Sequence, residues 1–191
     1  MANENPVPTK RKTFAHPMRN ISAMSLDHGM RVADFGSGSG AYVLAIAREL
    51  EGSGRVFAID IQQDLLRRIR TEARTHHLGN VSTVWADLEQ SSGSKIKDRY
   101  IDRVLISNIL FQVEDKKTIL REAWRILKTN GRLIVIDWSE SFRGMGPIKA
   151  HVVSEETARS LAHECGFELL HEFPAGAHHY GLIFRLVTQH S

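Results

Sequence analysis

The sequence predicts an α/β fold: a seven-stranded, mostly parallel sheet with helices on both faces and an antiparallel last strand. Three observations carry this expectation. Short apolar runs alternate with amphipathic segments along the 191 residues. A glycine-rich loop, Gly36-Ser37-Gly38-Ser39-Gly40, stands between the first apolar run and the first amphipathic segment. The last two runs are joined by "PAGAHH", too short for a crossover helix, so that pair is expected to be antiparallel.

The elements follow in order. Residues 1–28 are expected to form an irregular arm, because the first 20 carry three prolines, a basic run at Lys10-Arg11-Lys12 and few periodic apolar positions. Residues 29–191 read as one domain, long enough to bury a sizeable core. Arg31–Phe35 is the first strand. Ala41–Leu50 is a helix with Val43, Ile46, Ala47 and Leu50 on one face, stopped by "EGSG". Arg55–Asp60 is the second strand and Asp64–His77 the second helix, with Leu65, Leu66, Ile69 and Ala73 inward. Val81–Ala86 and Ile101–Ser107 are the third and fourth strands. Asp115–Lys128 is strongly amphipathic and is closed by "TNG". Arg132–Asp137 is the fifth strand. Ser154 caps a helix to about Glu164, with Glu155 and Glu156 at its dipole-favoured end. The final strands are about Glu168–Phe173 and Tyr180–Val187. In such sheets ligands bind beyond the carboxyl ends of the strands.

Composition narrows the class. No apolar run reaches transmembrane length, and the N-terminus has no apolar stretch after its charges, so neither a membrane span nor a secretory signal is expected. The single cysteine, Cys165, excludes an internal disulfide and a cysteine-cluster metal site, and fits a cytoplasmic location. The net charge is +3. Arg67, Arg68, Arg70 and Arg74 on one segment, with the basic run of the arm, leave nucleic acid as a partner to weigh, but no aromatic platform or recognisable module accompanies them.

The glycine loop admits several ligands. A P-loop needs a lysine after its last glycine, and Ala41 stands there. A dinucleotide loop wants Gly-x-Gly-x-x-Gly, and here the third glycine comes one position early. Asp34, two residues before Gly36, would face a pyrophosphate with like charge, but suits a ligand carrying an ammonium or a sulfonium. A turn aspartate bonding its own loop is the plainer reading. Asp60 ends the second strand, where a carboxylate accepts from both ribose hydroxyls. That position serves dinucleotides and adenosyl compounds alike. Asp87, past the third strand, would take the exocyclic amine of adenine, with Leu88 against the ring.

Together "VADFGSGSG", "VFAIDI", "WADL", "IDRVLISNIL" and "AWRILKTNGRLIVIDW" resemble the ordered motifs of class I S-adenosylmethionine-dependent methyltransferases, and especially the ubiquinone/menaquinone-biosynthesis and related small-molecule group. The resemblance covers about Met30 to Trp138. It implies a Rossmann-like sheet whose seventh strand inserts antiparallel beside the fifth. It implies S-adenosylmethionine as cofactor, with S-adenosylhomocysteine as product. Gly36, Ser37, Gly38 and Gly40 would let backbone approach the methionyl part, and Asp34 would help hold its amino group. Asp60 would take the ribose, with Ile61 beside the adenine, and Asp87 and Leu88 would frame that ring. Ser107 and Asn108 would lie near the amino acid moiety.

Methyl transfer from a sulfonium needs positioning first and a base only where the acceptor loses a proton. "SNIL" is not the Asn/Asp-Pro-Pro-Phe/Tyr type of nucleic-acid amino methyltransferases, and one cysteine disfavours arsenic and RNA cytosine C5 chemistry. A small-molecule acceptor remains, with RNA or protein behind it. Trp138, His151, His178, His179 and Tyr180 are the acceptor-side candidates, the histidines and Tyr180 also as bases. A metal site from His171, His178 and His179 has no diagnostic spacing, so no metal is expected. Relatives carry a longer helical N-terminal segment; here the pocket would be open, closed by the arm, or completed in a homodimer. A non-catalytic cofactor binder and a nicotinamide-dependent oxidoreductase are the remaining alternatives.

Overall fold

The computed structural model describes residues 16–187. The basic run at 10–12 lies outside the described residues. The elements are α1 (Pro17–Ala23), β1 (Arg31–Phe35), α2 (Ala41–Glu49), β2 (Arg55–Asp60), α3 (Gln63–Thr75), β3 (Val81–Trp85), β4 (Ile101–Ser107), α4 (Lys116–Ile126), β5 (Leu127–Trp138), α5 (Glu155–Glu164), β6 (Phe167–Gly176) and β7 (His179–Leu186), with a 3-10 turn at Lys149–His151.

The seven strands form one sheet in the order β3-β2-β1-β4-β5-β7-β6. All neighbours from β3 to β5 are parallel, and β7 runs antiparallel between β5 and β6. β6 is therefore parallel to the rest, and the β6–β7 turn lies at the edge where β1, β2 and β4 end. Strand alternation sends side chains to two cores. Ala33, Phe35, Val104, Ile106, Val135 and Leu182 pack with α4 and α5. Val32, Ala58, Leu105, Ile134 and Ile183 pack with α1, α2 and α3 on the opposite face.

Three local expectations change. Residues 17–23 are helical rather than irregular. Pro17 occupies the first helical turn, where its missing N–H costs nothing, and Ile21 inserts into the core beside Met24. The helix of "KKTILREAWRI" ends at Ile126 rather than Lys128, and "TNG" lies inside β5. The reason is tertiary: the Arg99 and Tyr100 amides bond the Arg125 and Ile126 carbonyls, and Leu127 pairs with Ile101. The start of β4 thus captures the helix end and draws it into extended structure. Finally, β6 and β7 extend into "PAGAHH", leaving only Ala177 and His178 between them.

Candidate active site

The site forms at the carboxyl ends of β1, β2, β3 and β4. β1 leads into the glycine loop, which bends back on itself: the Gly36 and Ser37 amides both donate to the Ile59 carbonyl, at 2.8 and 3.0 Å. The Ser37 hydroxyl donates to the Asp34 carbonyl at 2.9 Å, so this side chain ties the loop to its own strand. Gly36 has φ +66°, and a methyl there would overlap the Ile109 side chain. Gly40, at φ +81°, caps α2 with no side-chain bond, and a Cβ would press on Ile69. These glycines hold backbone where side chains do not fit.

Three carboxylates ring the loop, in different states. Asp60 is buried and anchored through both oxygens: Oδ2 accepts from the Gly38 amide at 2.9 Å and Oδ1 from the Gln62 amide at 2.8 Å. Asp87 is half-buried, caps its own turn by accepting from the Glu89 amide at 3.0 Å, and receives Gln90 Nε2 at 3.2 Å. Asp34 is 2% exposed, and among the described residues no hydrogen bond or ion pair reaches its carboxyl. Burial, and after it the Asp60 charge, push Asp34 up to about 8. The plainer reading of Asp34 as a turn aspartate therefore does not describe its side chain.

A cleft of about 260 Å³ opens beside Asp60 and Asp87, lined also by Gly36, Ile61, Leu88 and Ile109 among others. Ile61 is 59% exposed at its rim, and Leu88 is buried. On the other side of the loop, Ser107 ends β4 and Asn108 follows at φ +57°. Ser107 Oγ and Asn108 Oδ1 are buried and, among the described residues, have no hydrogen-bond partner.

Sequence reasoning missed Asp137. It is 1% exposed; Oδ2 accepts from the Leu110 amide at 3.0 Å and Oδ1 from the Trp138 amide at 2.8 Å, pinning the segment after β4 to the end of β5. Burial pushes it up to about 6 against those bonds. Its signal was present as an acid ending the fifth strand, the same pattern that marks Asp34 and Asp60.

The acceptor-side candidates separate. His178 lies in the turn, 2.7 Å from Glu140 through Nδ1, with its ring stacked on Phe142 at 3.8 Å. His179 is in β7, 6% exposed, 4.3 Å from the Trp138 ring, and among the described residues neither of its nitrogens has a hydrogen-bond partner. Burial, helped by His178, pulls its imidazole down to about 4. Tyr180 joins the core of α4 and α5, and its hydroxyl donates to the Val153 carbonyl at 3.1 Å. Burial raises its phenol far above the ordinary range. His151 is exposed in the 3-10 turn. The segment between them folds over Trp138, where Gly146 lies flat against the indole. Trp85 is exposed on the edge strand β3, its indole donating to the Ile61 carbonyl at 3.0 Å.

Glycines that admit close approach, acids at or just past three strand ends and, among the described residues, an unpartnered hydroxyl and amide oxygen at the end of the fourth strand gather at one edge of the sheet. The chain belongs to the methyltransferase domain family, whose profile matches residues 26–184. Over 121 residues it is 35% identical to the ubiquinone/menaquinone biosynthesis C-methyltransferase of Proteus mirabilis (strain HI4320), a match covering 63% of this chain and 47% of that protein. The chain thus spans about half the length of the curated relatives it matches. A SAM-dependent methyltransferase from Aquifex aeolicus superimposes with a TM-score of 0.83 at 23% identity, covering 95% of this chain and 94% of that one. An arsenic(III) S-adenosylmethionine methyltransferase from Chlamydomonas reinhardtii gives 0.68 at 21%, covering 86% and 65%. Both likenesses show the fold.

The cofactor this family implies is S-adenosylmethionine, and the residues fit it. Its ammonium matches the unpartnered Asp34 carboxyl, and its amino acid end matches the orphaned Ser107 and Asn108 atoms. Gly36 leaves room that a side chain would fill. Among the described residues, no helix is long and apolar enough to cross a membrane.

Proposed function

We propose that this chain transfers a methyl group from S-adenosylmethionine to a small-molecule acceptor. The observation that carries the reading is Asp34. A carboxyl 2% exposed, beside a second carboxylate and with no cationic side chain paired to it among the described residues, is electrostatically incomplete. A ligand ammonium completes it, whereas a pyrophosphate worsens it. That favours the adenosyl amino acid over the nicotinamide reading.

When bound, S-adenosylmethionine supplies a methyl group already activated on a sulfonium. The chain's own residues orient and enclose. Asp34 holds the ammonium, while Ser107 and Asn108 engage the amino acid end. Asp60, fixed by two backbone amides, presents its remaining lone pairs to the ribose hydroxyls. Asp87 and Leu88 frame the adenine. Trp138, with Gly146 of the segment 139–151 packed on its indole, borders the acceptor side. His179, held neutral, acts there as a hydrogen-bond partner rather than as a store of protons. His178, oriented by Glu140, is the stronger base candidate, for an acceptor that must lose a proton.

Support for a small acceptor comes from the curated relatives, named for ubiquinone/menaquinone biosynthesis C-methylation. The arginine face of α3 supports RNA less well, since Arg67 pairs with Asp64 and Arg70 donates to Thr83 at 2.6 Å. Two experiments test the reading. Calorimetry with S-adenosylhomocysteine should show binding, and its absence at millimolar ligand overturns the function. Tritiated methyl transfer into separated small-molecule, RNA and protein fractions of an extract should label the first; label in RNA or protein replaces the acceptor class.

A further inference from the structure

The helix α1 places one residue against the cofactor loop. Asn20 is 2% exposed, and its Nδ2 donates twice, to the Tyr42 phenol oxygen at 2.8 Å and to the Ala175 carbonyl at 3.0 Å. An amide nitrogen has two hydrogens, so both are spent. Tyr42 stands in the first turn of α2, directly after the glycine loop, and is 9% exposed. Its oxygen already accepts from Asn20, so its single hydrogen points elsewhere.

What lies elsewhere is polar. Val32 and Leu105 share the core of Tyr42 and Ile21, so alternation puts Asp34 and Ser107, each two residues further along its strand, on that same face. The Asp34 charge acts on the Tyr42 phenol and the Ser107 hydroxyl lies close beside it, although among the described residues Ser107 Oγ completes no hydrogen bond. The face therefore offers one unpartnered carboxyl and two hydroxyl donors, and among the described residues no lysine or arginine bonds to any of them. An α-amino acid end requires that set: an acceptor for its ammonium and donors for its carboxylate, which Asp34 alone would repel.

We propose that Tyr42, held as a donor by Asn20, binds the α-carboxylate of the cofactor's amino acid end, while Asp34 takes the ammonium. Tyr42 is a binding residue and Asn20 a positioning residue, so recognition of the amino acid end is built across α1 and α2. The inference rests on the cofactor reading above and adds the group that reads the carboxylate.

The test compares three ligands by calorimetry on the wild type, Tyr42→Phe and Asn20→Ala. Of the two charged groups of the amino acid end, S-adenosylhomocysteine carries both, decarboxylated S-adenosylmethionine only the ammonium (beside its sulfonium), and 5′-methylthioadenosine neither. Tyr42→Phe should weaken S-adenosylhomocysteine by about tenfold or more, the scale of one hydrogen bond to a charged group, and leave the other two within about threefold. Asn20→Ala should shift the same ligand in the same direction by less. Equal losses for all three ligands, as structural damage gives, overturn the proposal, and so does no loss for S-adenosylhomocysteine. Retained methylthioadenosine binding shows that each variant folds. A wild type that binds none of the three removes the cofactor reading itself.

Discussion

Asp34 should make cofactor affinity depend on pH, with a slope that the structure sets. In the free protein, burial and then the Asp60 charge push its carboxyl from the ordinary 3.8 up to about 8, so at pH 6 it carries a proton. Holding an ammonium calls for the ionised form. Each unit below 8 reduces the ionised fraction about tenfold, so S-adenosylhomocysteine should bind about a hundredfold more weakly at pH 6 than on the plateau above 8. Binding at pH 6 to 7 should release one proton. Calorimetry at pH 6, 7 and 8, each in two buffers of different ionisation enthalpy, measures both quantities. Asp34→Asn should bind weakly at every pH and release nothing. The same group governs stability. Its folded pKa lies above its unfolded value, so the folded chain holds the extra proton between about 4 and 8. The stability this gives is full at the acid end and is lost as pH rises towards 8. Asp137, up at about 6, acts in the same direction over the lower part of that window. Asp34→Asn should therefore flatten the decline in melting temperature between pH 6 and 8. An unchanged pH slope of binding in Asp34→Asn, or no proton release in the wild type, would refute the reasoning.

Other outcomes follow from single contacts. Asp60→Asn keeps one oxygen for the Gln62 amide but turns an NH2 group toward the Gly38 N–H, so S-adenosylhomocysteine should bind about 10- to 100-fold more weakly by calorimetry. Gly36→Ala sets a methyl against Ile109 at φ +66° and should cost about 2 to 4 kcal/mol of stability by denaturant titration; an unchanged midpoint contradicts the packing. His179→Phe gives up no hydrogen bond and keeps the ring against Trp138, so its melting temperature should equal or exceed that of the wild type while methyl transfer falls at least about tenfold. A large loss of stability there would make His179 a structural residue.

Much of the fold was legible because its signals are local. Each strand of the sheet is a short apolar run with its own stop, and "PAGAHH" was too short for anything but an antiparallel return. The misreadings came where distant chain overrides local preference. "LKTNG" carries a helix-stop pattern, yet the ends of α4 and β5 are set by pairing with residues 99–101. Pro17 was read with Pro6 and Pro8 as a breaker, although proline also opens helices, and Ile21 and Met24 behind it have helical spacing.

The two halves of the site differed in legibility for a related reason. The proposed cofactor half is written in strand ends, where an acid at 34, 60 or 87 is positioned by the strand that carries or precedes it, so spacing in sequence becomes spacing in the fold. The proposed acceptor half is assembled from the segment 139–151 and the β6–β7 turn, which meet only in the folded chain. "HHY" shows the consequence: three adjacent polar residues enter three environments, His178 against Glu140 and Phe142, His179 against Trp138, and Tyr180 in the opposite core. The alternation that made the strands easy to find disperses these side chains, so their grouping in sequence said little about which of them could share a ligand. Asn20 and Tyr42, 22 positions apart and on different helices, do share a hydrogen bond, and no spacing rule joins them.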